Sequence, residues 1–218
     1  MKKWKLKLDS VIDMPSNQQH WDGAYADSES ERLGWYQSEH EVTLSLFQMC
    51  DSDKKRVIDV GAGVTTLIDS LTNLEYNIGV LDISSEALRI LKTRHGDNIS
   101  YIHGDLVNNL NLEEFDIWHD RAVLHFLLEP EHQKSYVENL HSCISPGGYA
   151  IIETFSTDGA QMCCGLDLQT YDETMLSNLL GDEWVMLHSL RHIHINPFGG
   201  ERPYVSTLFQ RKTTEASK

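Results

Sequence analysis

Short, mostly apolar runs alternate along the chain with segments whose apolar residues recur every three or four positions. The runs fall at 57–60, 78–81, 99–102, 115–118 and 149–155. A run that stays apolar on both alternations marks a strand buried on both faces, as in a parallel sheet. The intervening segments are spaced as helices. Leu67, Ile68, Leu71 and Leu74 share one face, as do Ala87, Leu88, Ile90 and Leu91. Helices are also expected over 39–49, over 131–143 with Tyr136, Val137, Leu140 and Ile144 inward, and over 172–180. Ser84 or Ser85 and Asp172 stand where N-caps belong, and Pro146-Gly147-Gly148 stops the 131–143 helix. Two final runs, 184–194 and 204–209, have only a turn between them and predict an antiparallel hairpin. Strand–helix alternation closed by a hairpin reads as one α/β domain.

At 218 residues the chain is long enough for one continuous core, and its 40% hydrophobic and 23% charged content is that of a globular protein. The basic opening, Met1 to Asp9, contains no apolar stretch of the kind a signal peptide needs, and no run is long enough for a membrane span. A cytoplasmic location is therefore expected. The net charge of −15 argues against a broad nucleic-acid surface and favours a neutral or cationic substrate, or simply solubility. Cysteines at 50, 143, 163 and 164 match neither a zinc ribbon nor a redox pair, so free thiols are expected. His192 and His194 share a strand face and could join Cys163 and Cys164, but their separation does not define a metal site, and no metal is expected.

Candidate chemistry gathers at the strand ends. After the first strand, Gly61 and Gly63 allow a sharp turn and close approach of a ligand to the backbone. Asp82 ends the second strand, where a carboxylate can accept both ribose hydroxyls of an adenosine. Asp105 follows the third and is placed to accept an adenine amine. With Asp59, these acids mark three strand ends on one edge of the sheet. A dinucleotide fingerprint would place a third glycine at 66, where Thr66 stands, which argues against a nicotinamide or flavin enzyme.

Asp59-Val60-Gly61-Ala62-Gly63, Leu81-Asp82-Ile83-Ser84, Gly104-Asp105-Leu106 and Ser145-Pro146-Gly147-Gly148 together resemble the first, second and third motifs and the strand-five turn of the class I S-adenosylmethionine-dependent methyltransferases. The resemblance covers about 21–211, and Trp118 to Val123 with Asp158 to Leu166 is similar to a branch of small bacterial methyltransferases of the type 11/12-like domain. It implies a single Rossmann-like domain: a mostly parallel seven-stranded sheet with a C-terminal antiparallel hairpin and helices on both faces. The domain would span 19–212, with tails at 1–18 and 213–218.

The resemblance also implies roles. Gly61 and Gly63 would contact the methionine portion of S-adenosylmethionine, Asp82 the ribose, Ile83 the adenine face, and Asp105 and Leu106 the adenine edge. Asp120 or Arg121 would border the methyl-transfer site. Trp35 and Tyr36 would face cofactor or substrate, since an aromatic face stabilises a sulfonium, whereas Trp21 reads as a packing residue. His125, Glu153 and His194 are the candidate general bases. The segment 156–166, Met162 and Cys163 included, is expected to shape acceptor choice. The reading is a methyltransferase acting on a small-molecule acceptor. A protein-lysine methyltransferase and a non-catalytic S-adenosylmethionine-binding protein are the alternatives, and the oligomeric state is left open between monomer and dimer.

Overall fold

The computed structural model describes residues 17–26 and 30–213. The expected terminal tails lie outside them, except that the first helix, α1 (Asn17–Ala26), opens at Asn17. The remaining helices are α2 (Glu41–Phe47), α3 (Leu67–Asn73), α4 (Ser85–His95), α5 (Pro130–Cys143) and α6 (Glu173–Leu180). The strands are β1 (Arg56–Val60), β2 (Asn77–Asp82), β3 (Ser100–His103), β4 (Phe115–Arg121), β5 (Ile144–Phe155), β6 (Met162–Cys163), β7 (Leu166–Asp167), β8 (Trp184–Ile195) and β9 (Glu201–Arg211). Short 3-10 turns occupy Ser30–Arg32 and Leu124–Phe126.

Seven strands form one sheet in the order β3-β2-β1-β4-β5-β9-β8. The first five are parallel, and β9 runs antiparallel to both β5 and β8. This is the predicted architecture, hairpin included. Strand alternation feeds two cores, one on each face. Ile58, Val60, Trp118 and Ile152 pack under α5 and α6 against Tyr136, Leu140 and Leu176. Val57, Ile117 and Ile151 pack on the other side against Leu46, Phe47, Leu67, Ile68 and Leu71.

Ser84 caps α4 by accepting the Ala87 N–H, and Asp172 caps α6 by accepting that of Met175. Leu74, expected on the buried face of α3, stands just past that helix and is exposed. Pro146-Gly147-Gly148 lies within β5 as an interruption: pairing with β4 jumps from Phe115↔Ile144 to Ile117↔Tyr149. There Gly148 passes so close that a Cβ would sit 2.8 Å from the Asp116 carbonyl oxygen. The 156–166 segment, expected to shape acceptor choice, runs into the β6–β7 hairpin. Its turn residues Cys164 and Gly165 have φ of 55° and 77°, the left-handed pair that two-residue hairpins favour. Among the described residues no helix is long and apolar enough to cross a membrane.

Candidate functional site

A cleft of about 330 Å³ lies over the C-terminal ends of β1, β2, β3 and β4. Strand ends are where an open α/β sheet presents backbone and side chains to a ligand, because each crossover helix leaves from there. Gly61, Asp82, Ile83, Gly104, Asp105 and Leu106 form one half of its lining. Trp21, Trp35, Arg121, His125, Phe126 and Phe155 wall the middle, and Cys163, Leu166, Asp167, Arg202 and Tyr204 close the far half.

The first half of the cleft is built from the turns after β1 and β2. Asp82 is 4% exposed and accepts two backbone hydrogen bonds, Gly63 N–H to Oδ2 and Ser84 N–H to Oδ1, each 2.7 Å. Each oxygen keeps a second lone pair for a ligand hydroxyl. Burial raises its pKa to about 6, although both N–H groups favour the carboxylate. Gly63 itself is absent from the cleft lining. Its N–H fixes Asp82, and the Tyr25 hydroxyl approaches within 2.5 Å of where a Cβ would stand. Gly61 lines the cleft at φ 60°, and a Cβ there would lie 2.0 Å from Val123 Cγ2. These two bare turns, together with a carboxylate of spare capacity, fit an adenosyl cofactor.

The rest of the cleft corrects several expectations. On β4, Trp118 and Asp120 point to the α5 face, while His119 and Arg121 point to the opposite one. Asp120 is fully buried, accepts the N–H groups of Val123 and Leu124 and the Tyr136 hydroxyl, and does not reach the cleft. Arg121 does. Its Nη1 donates to the Trp35 carbonyl at 3.0 Å, its guanidinium lies 5.1 Å from the Tyr204 ring centre, and its Nε and Nη2 are buried without a partner.

Asp59 and Glu153 lie beneath the cleft in a buried row across the sheet. His119 donates from Nδ1 to Asp59 at 2.6 Å and from Nε2 to Glu153 at 3.4 Å, while Thr43 and Ser206 donate to the Glu153 carboxylate. Burial opposes the charge on His119, but Asp59 and Glu153 overcome it and raise its pKa to about 10. Burial likewise opposes ionised Glu153, and His119 with Arg121 lowers it to about 2. A carboxylate so committed is a structural anion, not a general base.

His194 also misses the cleft: it faces Gln37 and the Tyr204 ring edge, beside a shallow surface depression. His192 stacks on Tyr204 and meets Ser206 Oγ at 3.0 Å. Tyr36 turns into a second cavity of about 50 Å³ behind Trp35, which His40, Asp59, His119 and Arg121 also line. Trp21, read as packing alone, does line the main cleft, with its ring against those of Trp35 and Phe126.

Of the three candidate bases, His125 alone lines the cleft. It is 1% exposed, with Nδ1 3.2 Å from Thr154 Oγ1 and Nε2 without a partner. Burial, reinforced by Arg121, lowers its pKa to about 3, so the ring is neutral. Cys163 lines the far half, whereas Met162 is 57% exposed outside it. The Cys163 thiol is drawn down to about 7 by Cys164, whose sulfur is 3.5 Å away, against burial and with help from Arg202.

Residues 57–148 match the family model described as methyltransferase domain. That match covers less than half of the chain, which over those residues is similar to methyltransferases. S-adenosylmethionine is the cofactor that this likeness implies, and the half of the cleft at Gly61, Asp82 and Asp105 lies within the matched residues apart from the α1 side. A curated relative, malonyl-[acyl-carrier protein] O-methyltransferase 2 of Ilyobacter polytropus, is 23% identical over 119 residues, 53% of this chain and 45% of that protein. The match thus spans less than half of that relative. Among solved structures, a SAM-dependent methyltransferase from Anabaena variabilis superposes with a TM-score of 0.74 at 15% identity, covering 95% of this chain and 100% of the other. N-methyltransferase NodS from Bradyrhizobium japonicum, in complex with S-adenosyl-L-homocysteine, gives 0.68 at 16% identity over 90% and 98%. These last two likenesses are of fold.

Sequence reasoning on this methyltransferase domain missed Arg202, Tyr204 and Phe126 as cleft residues. Arg202 and Tyr204 come from β9, some 80 residues beyond Arg121, and nothing local in the sequence ties them to the cleft. Trp21 and Tyr25 did carry a signal: four apart on a helix, they share a face.

Proposed function

We propose that this chain transfers the methyl group of S-adenosylmethionine to a small-molecule acceptor. The observation that carries the reading is the division of one cleft into a nucleoside half at Gly61, Asp82 and Asp105 and an aromatic half that ends at Cys163 and Tyr204. Bound there, S-adenosylmethionine would supply a methyl group already activated on a sulfonium, with S-adenosylhomocysteine as the leaving group. The chain's work is therefore to position and to exclude water. Asp82 holds the ribose hydroxyls, Ile83 lies against the adenine, and Asp105 with Leu106 holds its edge. Trp21 and Trp35 present ring faces to the cationic centre. Neutral His125, with Nδ1–H given to Thr154, offers Nε2 as a hydrogen-bond acceptor for a nucleophile that arrives protonated. The proton of that nucleophile passes to solvent as the new bond to carbon forms.

A cleft of about 330 Å³ with the β6–β7 hairpin at its far end favours a small acceptor over a lysine in a folded protein. The relatives' names give different acceptor atoms: NodS is an N-methyltransferase, and the Ilyobacter enzyme is an O-methyltransferase of malonyl-[acyl-carrier protein].

The test is calorimetric titration with S-adenosylhomocysteine, followed by turnover on a panel of oxygen, nitrogen and sulfur acceptors. Wild type is expected to bind, and Asp82→Asn to bind at least about tenfold more weakly, the scale of a lost charged hydrogen bond. Affinity of the wild type is expected to fall as pH drops through about 6, where Asp82 takes up its proton, and Asp82→Asn is expected to lack that dependence. Failure of folded wild type to bind would sink the reading. Tight binding with no turnover on any acceptor would favour a non-catalytic binding protein.

A further inference from the structure

The far half of the cleft is basic in a chain whose net charge is −15. Arg202 lines it and Arg121 lines the adjoining middle, and among the described residues neither forms an ion pair. The one carboxylate in that half, Asp167, sits on the exposed side of the β6–β7 hairpin. Arg202 donates from Nη1 to the carbonyl of Glu201, its own neighbour in the chain, at 2.9 Å.

Arg121 is held differently. Nη1 is tied to the Trp35 carbonyl, and the Tyr204 ring lies against the guanidinium. Those two contacts fix the plane of the group and leave its side edge, Nε with Nη2, buried and unpartnered. Two parallel N–H donors on one edge are the fork that receives both oxygens of a carboxylate. Glu153 is Arg121's cross-strand neighbour and could have filled it, but its oxygens are engaged by His119, Thr43 and Ser206. A buried guanidinium edge without a partner is costly, and the free fork is therefore a place kept for an anion.

Building on the methyltransferase reading, we infer that the acceptor carries a carboxylate, seated on the Nε–Nη2 fork of Arg121 with Arg202 at the rim. The aromatic walls, Phe126, Phe155 and Tyr204, fit an apolar or aromatic body behind that carboxylate, and the nucleophilic atom then lies towards His125. The acidic surface, which by itself favours a neutral or cationic substrate, is overruled locally by these two arginines.

The experiment is calorimetry with benzoate, phenylacetate and indole-3-acetate, each against its amide, on protein with and without saturating S-adenosylhomocysteine. At least one carboxylate is expected to bind about tenfold or more tighter than its amide. In Arg121→Gln that preference is expected to fall below about threefold, with partial recovery in Arg121→Lys, which keeps the charge but loses the fork. Thermal melts of both variants confirm that they fold. No carboxylate preference in wild type, or a preference that survives Arg121→Gln, overturns the inference. So does a loss of S-adenosylhomocysteine affinity in Arg121→Gln with the carboxylate preference intact, which would assign the fork to the cofactor's own carboxylate. The two readings fail separately. Absent S-adenosylhomocysteine binding in wild type removes the methyltransferase reading, while the carboxylate-to-amide ratio of cofactor-free protein still decides the arginine site.

Discussion

Gly61 has no room for a side chain. Its φ of 60° costs an L-residue roughly 1–2 kcal/mol, and a Cβ would lie 2.0 Å from Val123 Cγ2. Gly61→Ala is therefore expected to lower stability by roughly 1–3 kcal/mol, the scale of overpacking. It should also weaken S-adenosylhomocysteine binding more than about tenfold, since Val123 shares the cleft wall and has to move. Denaturant melts and calorimetry check the two effects, and a normal affinity would show that the turn after β1 does not touch the cofactor. At this scale the sequence was informative wherever backbone chemistry leaves a mark. A glycine at a strand end and an aspartate closing the next strand are visible as letters. Asp120 and Arg121 were not separable by letter, because adjacent residues of a strand face opposite ways and only the packing of β4 shows which faces in.

The row Asp59–His119–Glu153 ties β1, β4 and β5 together at the level of elements. His119 gains its proton partners on folding, so its pKa rises from 6.5 to about 10. A raised folded pKa gives stability that is complete below 6.5 and is lost as pH climbs through 10. Glu153 has the opposite sign: its pKa falls from 4.5 to about 2, giving stability present above 4.5 and lost as pH falls through 2. Thermal melts from pH 5 to 10 are expected to show wild type losing stability on the alkaline side. His119→Ala strands two buried carboxylates and is expected to cost about 3–5 kcal/mol near neutrality, with a flatter alkaline limb. Parallel profiles would mean that His119 is not charged in the folded protein. Glu153 was misread as a base for a physical reason. An acid at the end of a buried strand looks the same in sequence whether it meets a ligand or a buried histidine one strand away. The parallel strands themselves were legible, since burial on both faces forces continuous apolar runs. The β6–β7 hairpin was not, because strands of two residues have no periodicity to read.

Over the whole molecule, the N-terminal segment and the C-terminal hairpin meet across the cleft. α1 brings Trp21, β9 brings Arg202 and Tyr204, and the sheet between them supplies Gly61, Asp82 and Asp105. One contact holds the N-terminal side down. Asp22 on α1 accepts the Ser84 hydroxyl at 2.7 Å and the Glu86 N–H at 3.1 Å, so a side chain from one helix helps cap the start of another. Ser84 is also two residues from Asp82, and its N–H holds that carboxylate. The consequence concerns time rather than affinity: spent nucleoside leaves no faster than this joint lets α1 swing aside. Stopped-flow displacement of S-adenosylhomocysteine is expected to show Asp22→Ala releasing it several-fold faster, with little change in the association rate. If release is unaltered, the exit path runs past the β6–β7 hairpin instead, and the clock of the catalytic cycle sits at the other end of the cleft.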